Sequence, residues 1–246
     1  MERTRVLPHA TARTAVVWET LSAELDRQAD RELIVVDVGG GTGGFAVPLA
    51  QAGYPVTVVD PSPDALAALT RRAAEAGVPE LVTAVQGDGD RLTEVVPAGT
   101  AGLVLCHSML EVADDPAGVV RAVAGALRPG GAASVLVAGQ AHAVLARAMS
   151  GDLAAAARLL RAGAEEAAVA PRRRFDPTTA TALLTGAGLV LEELHGVRVL
   201  ADLVPPAVAE ADPPALLALE AELSTRLPYR DIASQLHLFA RRPAAG

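Results

Sequence analysis

The chain has a single cysteine, Cys106, in 246 residues, so an internal disulfide is excluded, and its five histidines never approach metal-ligand spacing. Aromatic residues are only 2% of the sequence, which leaves few ring faces on which RNA bases could stack. Lysine is absent, so all 21 cationic side chains are arginine, and 29 acids outweigh them to a net charge of −8. That balance weighs against a broad phosphate-gripping surface and leaves room only for a local basic patch. No apolar run reaches the ~18–20 residues of a membrane span. The opening stretch MERTRVLPHATART lacks the apolar centre of a signal peptide. The expectation is a cytoplasmic protein with no metal and no membrane partner.

What the sequence does have is a large apolar fraction, 51%, enough for one sizeable core spanning residues 1–246. Short continuous runs of branched residues read as strands buried on both faces: Leu33–Val38, Pro55–Asp60, Leu81–Gln86, Gly102–His107 and, after the turn Arg128–Gly131, Ala132–Gly139. Helical patterns alternate with them at Thr11–Arg27, Gly44–Ala52, Ser62–Gly77 and Asp115–Leu127. Strict alternation implies an α/β fold with a doubly wound, Rossmann-like parallel sheet. The rhythm then changes. Residues 141–170 read as wholly helical and Thr178–Gly186 as a further helix. Leu189–Leu200 reads as a strand, Ala201–Pro214 as linker-like, Pro214–Leu227 as a helix and QLHLFARR as a last strand.

The stretch VDVGGGTGGF, Val36–Phe45, satisfies two glycine spacings at once. Gly39-x-Gly41-x-x-Gly44 fits a dinucleotide loop and an NAD(P)-dependent oxidoreductase; Asp37-x-Gly39-x-Gly41-x-Gly43 fits a loop for S-adenosylmethionine. Asp60, at the end of the second strand, suits a ribose in both cases. Asp37 separates them, because a carboxylate repels a pyrophosphate and attracts a sulfonium and an amino group. Asp88, Gly89 and Asp90 follow the third strand, where carboxylates could read an adenine amino group. His107 ends a central strand, where sheets of this type open. Cys106 points the other way, as a small core residue.

Taken in order, Asp37–Gly43, Asp60, Asp88–Asp90, MLEVADDP and LRPGG resemble class I S-adenosylmethionine-dependent methyltransferases over residues 33–139. The resemblance implies a seven-stranded sheet with its last strand antiparallel, a cofactor-binding core at 33–139, a helical insertion at 140–175, and C-terminal elements at 176–246 that complete the sheet. RTAVVW, HSMLEVADDP, QAH, GVRVLADL and LEAELSTRLPY are further similar to the bacterial branch that esterifies 5-carboxymethoxyuridine at the tRNA wobble position. That similarity implies Gly39, Gly40 and Gly41 along the cofactor backbone, Asp60 at its ribose and Asp88, Gly89 and Asp90 at its adenine. It puts Arg13 at the methionyl carboxylate or a neighbouring group of the cofactor and His107 beside the transferred methyl. It also implies Gln140, His142 and Arg198 as acceptor contacts, with Arg198 holding a carboxylate. His195 and His237 are expected to be structural or at the surface, and Glu111 to cap or pair locally. One stretch departs: where that branch carries a lysine run before Asp176–Pro177, this chain has only Arg172–Arg174. The acceptor is therefore left open between a tRNA anticodon and a small molecule.

Overall fold

A computed structural model describes residues 11–28, 33–161 and 172–244. The strands are β1 (Val35–Val38), β2 (Val56–Asp60), β3 (Val82–Gln86), β4 (Ala101–His107), β5 (Leu127–Ala138), β6 (Val190–Val197) and β7 (Gln235–Arg241). They form one sheet in the order β3-β2-β1-β4-β5-β7-β6. Every neighbouring pair from β3 to β5 is parallel, whereas β7 runs antiparallel to both β5 and β6. The expected fold class is the observed one. β1 pairs with β2 and with β4, so the chain reverses its winding between β1 and β4, and a crevice opens beyond their carboxyl ends.

Helices α1 (Ala15–Gln28), α2 (Ala46–Gln51) and α3 (Pro63–Glu75) pack on one face of the sheet. The other face is covered by α5 (Pro116–Ala126) and α8 (Pro177–Gly186), with the single turn α4 (Leu92–Val95) contributing Leu92. The period-two alternation of the strands sorts residues between these cores. Val35, Leu103 and Leu105 enter the first; Val36, Val104 and Cys106 enter the second. Ser62 caps α3 as its sequence suggests, accepting the Ala65 N–H at 3.2 Å.

Three expectations are corrected. Arg128–Gly131 is no turn ahead of a strand; β5 already begins at Leu127, and these residues form an irregularity between the pairs Ala101–Leu127 and Leu103–Ala132. The helical stretch after β5 is broken into α6 (Gln140–Met149) and α7 (Leu153–Arg161). Gly151 leaves helical geometry at φ +86°, and Asp152 restarts the helix by accepting the Ala155 N–H. Residues 162–170 of that expectation lie outside the described residues. The linker-like stretch folds in part: Pro206 opens the short helix α9 (Pro206–Ala211), and α10 (Pro213–Leu223) follows. None of the helices among the described residues is long and apolar enough to cross a membrane.

Glu24 locks α1 to β7. Its buried carboxylate accepts from Arg27 at 2.7 and 2.9 Å and from both Arg241 terminal nitrogens at 3.0 Å. Burial alone would raise its pKa, but the hydrogen bonds from Arg27, Arg241 and Gln28 prevail and hold it at about 2. The stability it contributes is therefore complete above the unfolded carboxylate value and is lost as pH falls from about 4.5 towards 2. Glu24→Gln is expected to cost about 2 kcal/mol at neutral pH. It should also flatten the acid limb of a urea-denaturation pH series over that window.

Candidate functional site

Two cavities adjoin at the carboxyl ends of β1 and β4, sharing Ser108 and Val112 as a common wall. The first, of about 460 Å³, lies beneath the glycine loop. Gly39 and Gly41 take φ of +70° and +54°, a region that disfavours any side chain. The loop is tied down from β2: the Gly39 N–H donates to the Val59 carbonyl at 2.7 Å and the Gly41 N–H to Asp60 Oδ2 at 2.9 Å. The other oxygen of Asp60 accepts the Ser62 N–H at 2.9 Å, so this carboxylate positions both the loop and the entry to α3 while lining the cavity.

Met109, which sequence reasoning passed over, completes this wall. A Cβ at Gly39 would lie 3.1 Å from Met109 Cγ, and one at Gly89 only 2.1 Å from Met109 Cε. The two glycines from different loops thus make room for one thioether. Asp60, Asp88, Asp90, Asp114 and Asp115 border the cavity against a single cation, Arg91. A cavity of that polarity suits a cationic ligand with ribose-like donors and repels a pyrophosphate.

Of the expected cofactor residues, Gly39, Asp60, Asp88, Gly89 and Asp90 come together here. The others do not line it. Asp37 is 2% exposed and sits behind the loop, where a Cβ on Gly40 would fall 2.5 Å from its Oδ2. Burial, reinforced by the charge of Asp60, pushes its pKa up to about 7. Gly40 therefore closes over Asp37, and Gly41 turns to Asp60. Arg13 pairs instead with Asp202, at 3.2 Å, on the side of the second cavity.

His107 is the largest departure. It lines neither cavity; its Nε2 lies 2.8 Å from Ser134 Oγ, which in turn lies 2.8 Å from His237 Nε2. The ring packs edge-on to Phe45, 4.5 Å between centroids. Register explains this: His107, Leu136, His237 and His195 are aligned across β4, β5, β7 and β6, all on the face covered by α1. Burial lowers the pKa of His107 to about 3, and that of His237 falls likewise. A neutral imidazole turned into the core is a poor general base for a ligand in either cavity. His195 and His237 are indeed structural.

The second cavity, of about 890 Å³, has the opposite polarity. Arg147, Arg172, Arg174 and Arg198 line it with His142, against Glu111 and Asp202. Glu220, fully buried on α10, accepts the N–H groups of Val199, Leu200 and Ala201 at 2.6–2.9 Å and so fixes the segment that carries Arg198 and Asp202. Arg198 is not a free anchor: it is paired with Asp202 at 2.5 Å, and its Nε is buried without a partner among the described residues. His142 lies 3.2 Å from Ser234 Oγ, which donates to Asp202. Gln140 is withdrawn, its side chain donating to the Leu159 carbonyl and binding α6 to α7. Among the described residues, no group of three or more histidine, cysteine or acidic side chains could hold a metal ion.

Residues 36–135 match the family model described as a methyltransferase domain. The chain is similar to the tRNA 5-carboxymethoxyuridine methyltransferase of Escherichia coli O157:H7, 29% identical over 239 residues, covering 94% of this chain and 88% of that protein. It is 32% identical over 179 residues to the ubiquinone biosynthesis O-methyltransferase of Xanthomonas axonopodis pv. citri, covering 73% and 70%. Among solved structures, an S-adenosylmethionine-dependent methyltransferase from Mesorhizobium loti shares the fold, with a TM-score of 0.61 at 23% identity over 94% of this chain and all of that one.

Gly89→Ala is expected to drive the Met109 thioether into the first cavity and weaken S-adenosylhomocysteine binding about tenfold by calorimetry. Adding Met109→Ala to the same protein should restore most of that loss.

Proposed function

The chain belongs to the S-adenosylmethionine-dependent methyltransferases, and we propose that within this family it methylates an anionic acceptor held by arginines, the carboxylate of 5-carboxymethoxyuridine in tRNA. The observation that carries the reading is the change of polarity across the Ser108–Val112 wall, aspartates on one side and arginines on the other. The cofactor, S-adenosylmethionine, supplies an electrophilic methyl on a sulfonium. Gly39, Asp60, Asp88, Gly89 and Asp90 would hold it.

The chain's own contribution is then to position and to desolvate. A carboxylate acceptor is already ionised at neutral pH and needs no general base. That agrees with His107 being turned away from both cavities. Arg172 and Arg147, which have no ion pair among the described residues, together with Arg174, are the cations left to meet the acceptor's charge. Helices α6 and α7 with residues 172–175 act in this reading as the acceptor-side cover, and a protein modifying tRNA works in the cytoplasm.

A second reading keeps the scaffold and exchanges the acceptor for a small acidic molecule. It is favoured by the volume of the arginine-lined cavity, which falls in the range of small-ligand pockets, and by the net charge of −8. Mass spectrometry of tRNA nucleosides from a deletion strain separates the two. Loss of methylation on 5-carboxymethoxyuridine is expected, and an unchanged nucleoside profile would refute the tRNA acceptor. With that tRNA as substrate, the double variant Arg172→Ala/Arg174→Ala should raise KM by about tenfold or more and leave S-adenosylhomocysteine affinity unaltered.

A further inference from the structure

The turn between the cavities distributes its side chains by chemistry. Met109 packs over Gly39 and Gly89 on the aspartate side, and Ser108 and Val112 border both cavities. Glu111, from the same turn, borders only the arginine-lined one. It is 5% exposed. Its Oε1 accepts the Ala138 N–H at 2.8 Å, and its main-chain carbonyl accepts the Arg173 N–H at 2.9 Å. The side chain is thereby aimed from β5 and its peptide from the arginine stretch.

The second oxygen is surplus to this arrangement. Glu111 Oε2 is buried and has no hydrogen-bond partner among the described residues. A carboxyl oxygen sealed from water without a partner is costly to keep, and capping one backbone N–H requires only one oxygen. Burial raises the pKa of Glu111, while its backbone hydrogen bonds and the charges of Arg174 and Arg172 pull it back. Arg172 and Arg174 line the same cavity as this carboxyl.

Building on the reading of the arginine-lined cavity as the acceptor site, we propose that Glu111 Oε2 receives a hydrogen bond from a donor group of the methyl acceptor. The acceptor class is then a molecule that carries both a carboxylate and a nearby N–H or O–H. The imide N–H of a uracil bearing an acidic arm fits this description, and so does the hydroxyl of a phenolic acid. Glu111 moves no proton and sets specificity. A carboxylate lacking a donor leaves Oε2 unpaired and adds a second negative charge beside it, so such a ligand is rejected.

Two probes distinguish the sources: an anticodon stem-loop containing 5-carboxymethoxyuridine, and 3,4-dihydroxybenzoate. Glu111→Gln retains an oxygen for Ala138 and places an NH2 donor where Oε2 stands. It should bind S-adenosylhomocysteine within twofold of wild type, yet raise KM for whichever probe is methylated by about tenfold or more, with a smaller change in kcat. If the variant does not fold, the wild type carries the test through donor-deleted probes, the N3-methylated stem-loop or benzoate, with the same loss expected. A Glu111→Gln protein with unchanged KM, or a wild type indifferent to the donor, would overturn the role of Glu111 alone. A wild type that binds S-adenosylhomocysteine but methylates neither probe overturns the anionic-acceptor reading, and this inference with it.

Discussion

The site depends on closing one glycine loop over two carboxylates. Asp60 accepts from Gly41 on one oxygen and from Ser62 on the other, so a single side chain fixes the turn after β1 and the start of α3. Charge-assisted hydrogen bonds of this kind contribute roughly 1.5–3 kcal/mol each. Asp37 stands directly behind, buried, with its pKa raised to about 7. Its proximity requires that Gly40 have no side chain. The loop can hold Gly39, Gly41 and Gly43 at positive φ because these anchors fix it there, and the cavity wall is their by-product.

That division of labour modifies the sequence-level argument about the acids. Asp37 stands buried behind the loop and does not line the cavity. The carboxylates that do line it come from three separate segments: the end of β2, the loop between β3 and α4, and the turn before α5. The arginines of the adjoining cavity likewise come from α6, from the stretch before α8 and from the segment after β6. The net charge of −8 thus conceals two opposed local fields on adjoining cavities.

The fold was legible because its central strands are buried on both faces and read as unbroken branched runs, as at Val35–Val38 and Ala101–His107. Boundaries failed where backbone geometry overrode composition. Alanine-rich helix pattern runs through Ser150–Asp152, yet Gly151 breaks it. Gly39, Asp60 and Asp88–Asp90 were legible as positions that meet at one cavity because each follows a strand end. Met109, Glu111 and Glu220 were not, since each matters through partners distant in sequence: Gly39 and Gly89, Ala138, and Val199–Ala201. His107 was rightly placed at a strand end, but its facing neighbours, Ser134 and His237, depend on a sheet register that no local pattern reveals.

The acceptor side shows where rigidity is concentrated. Two non-glycine residues among those described have positive φ, Ser108 at 56° and Arg198 at 61°, and both line the arginine cavity. Conformations of this kind cost about 1–3 kcal/mol and persist only where surrounding contacts over-determine them. The contacts here converge on two consecutive residues at the start of β7. Ser234 donates its N–H to the Arg198 carbonyl and its hydroxyl to Asp202, and Gln235 donates to Ser108 Oγ. The antiparallel strand that completes the sheet thus also braces the two strained corners between which an acceptor would lie.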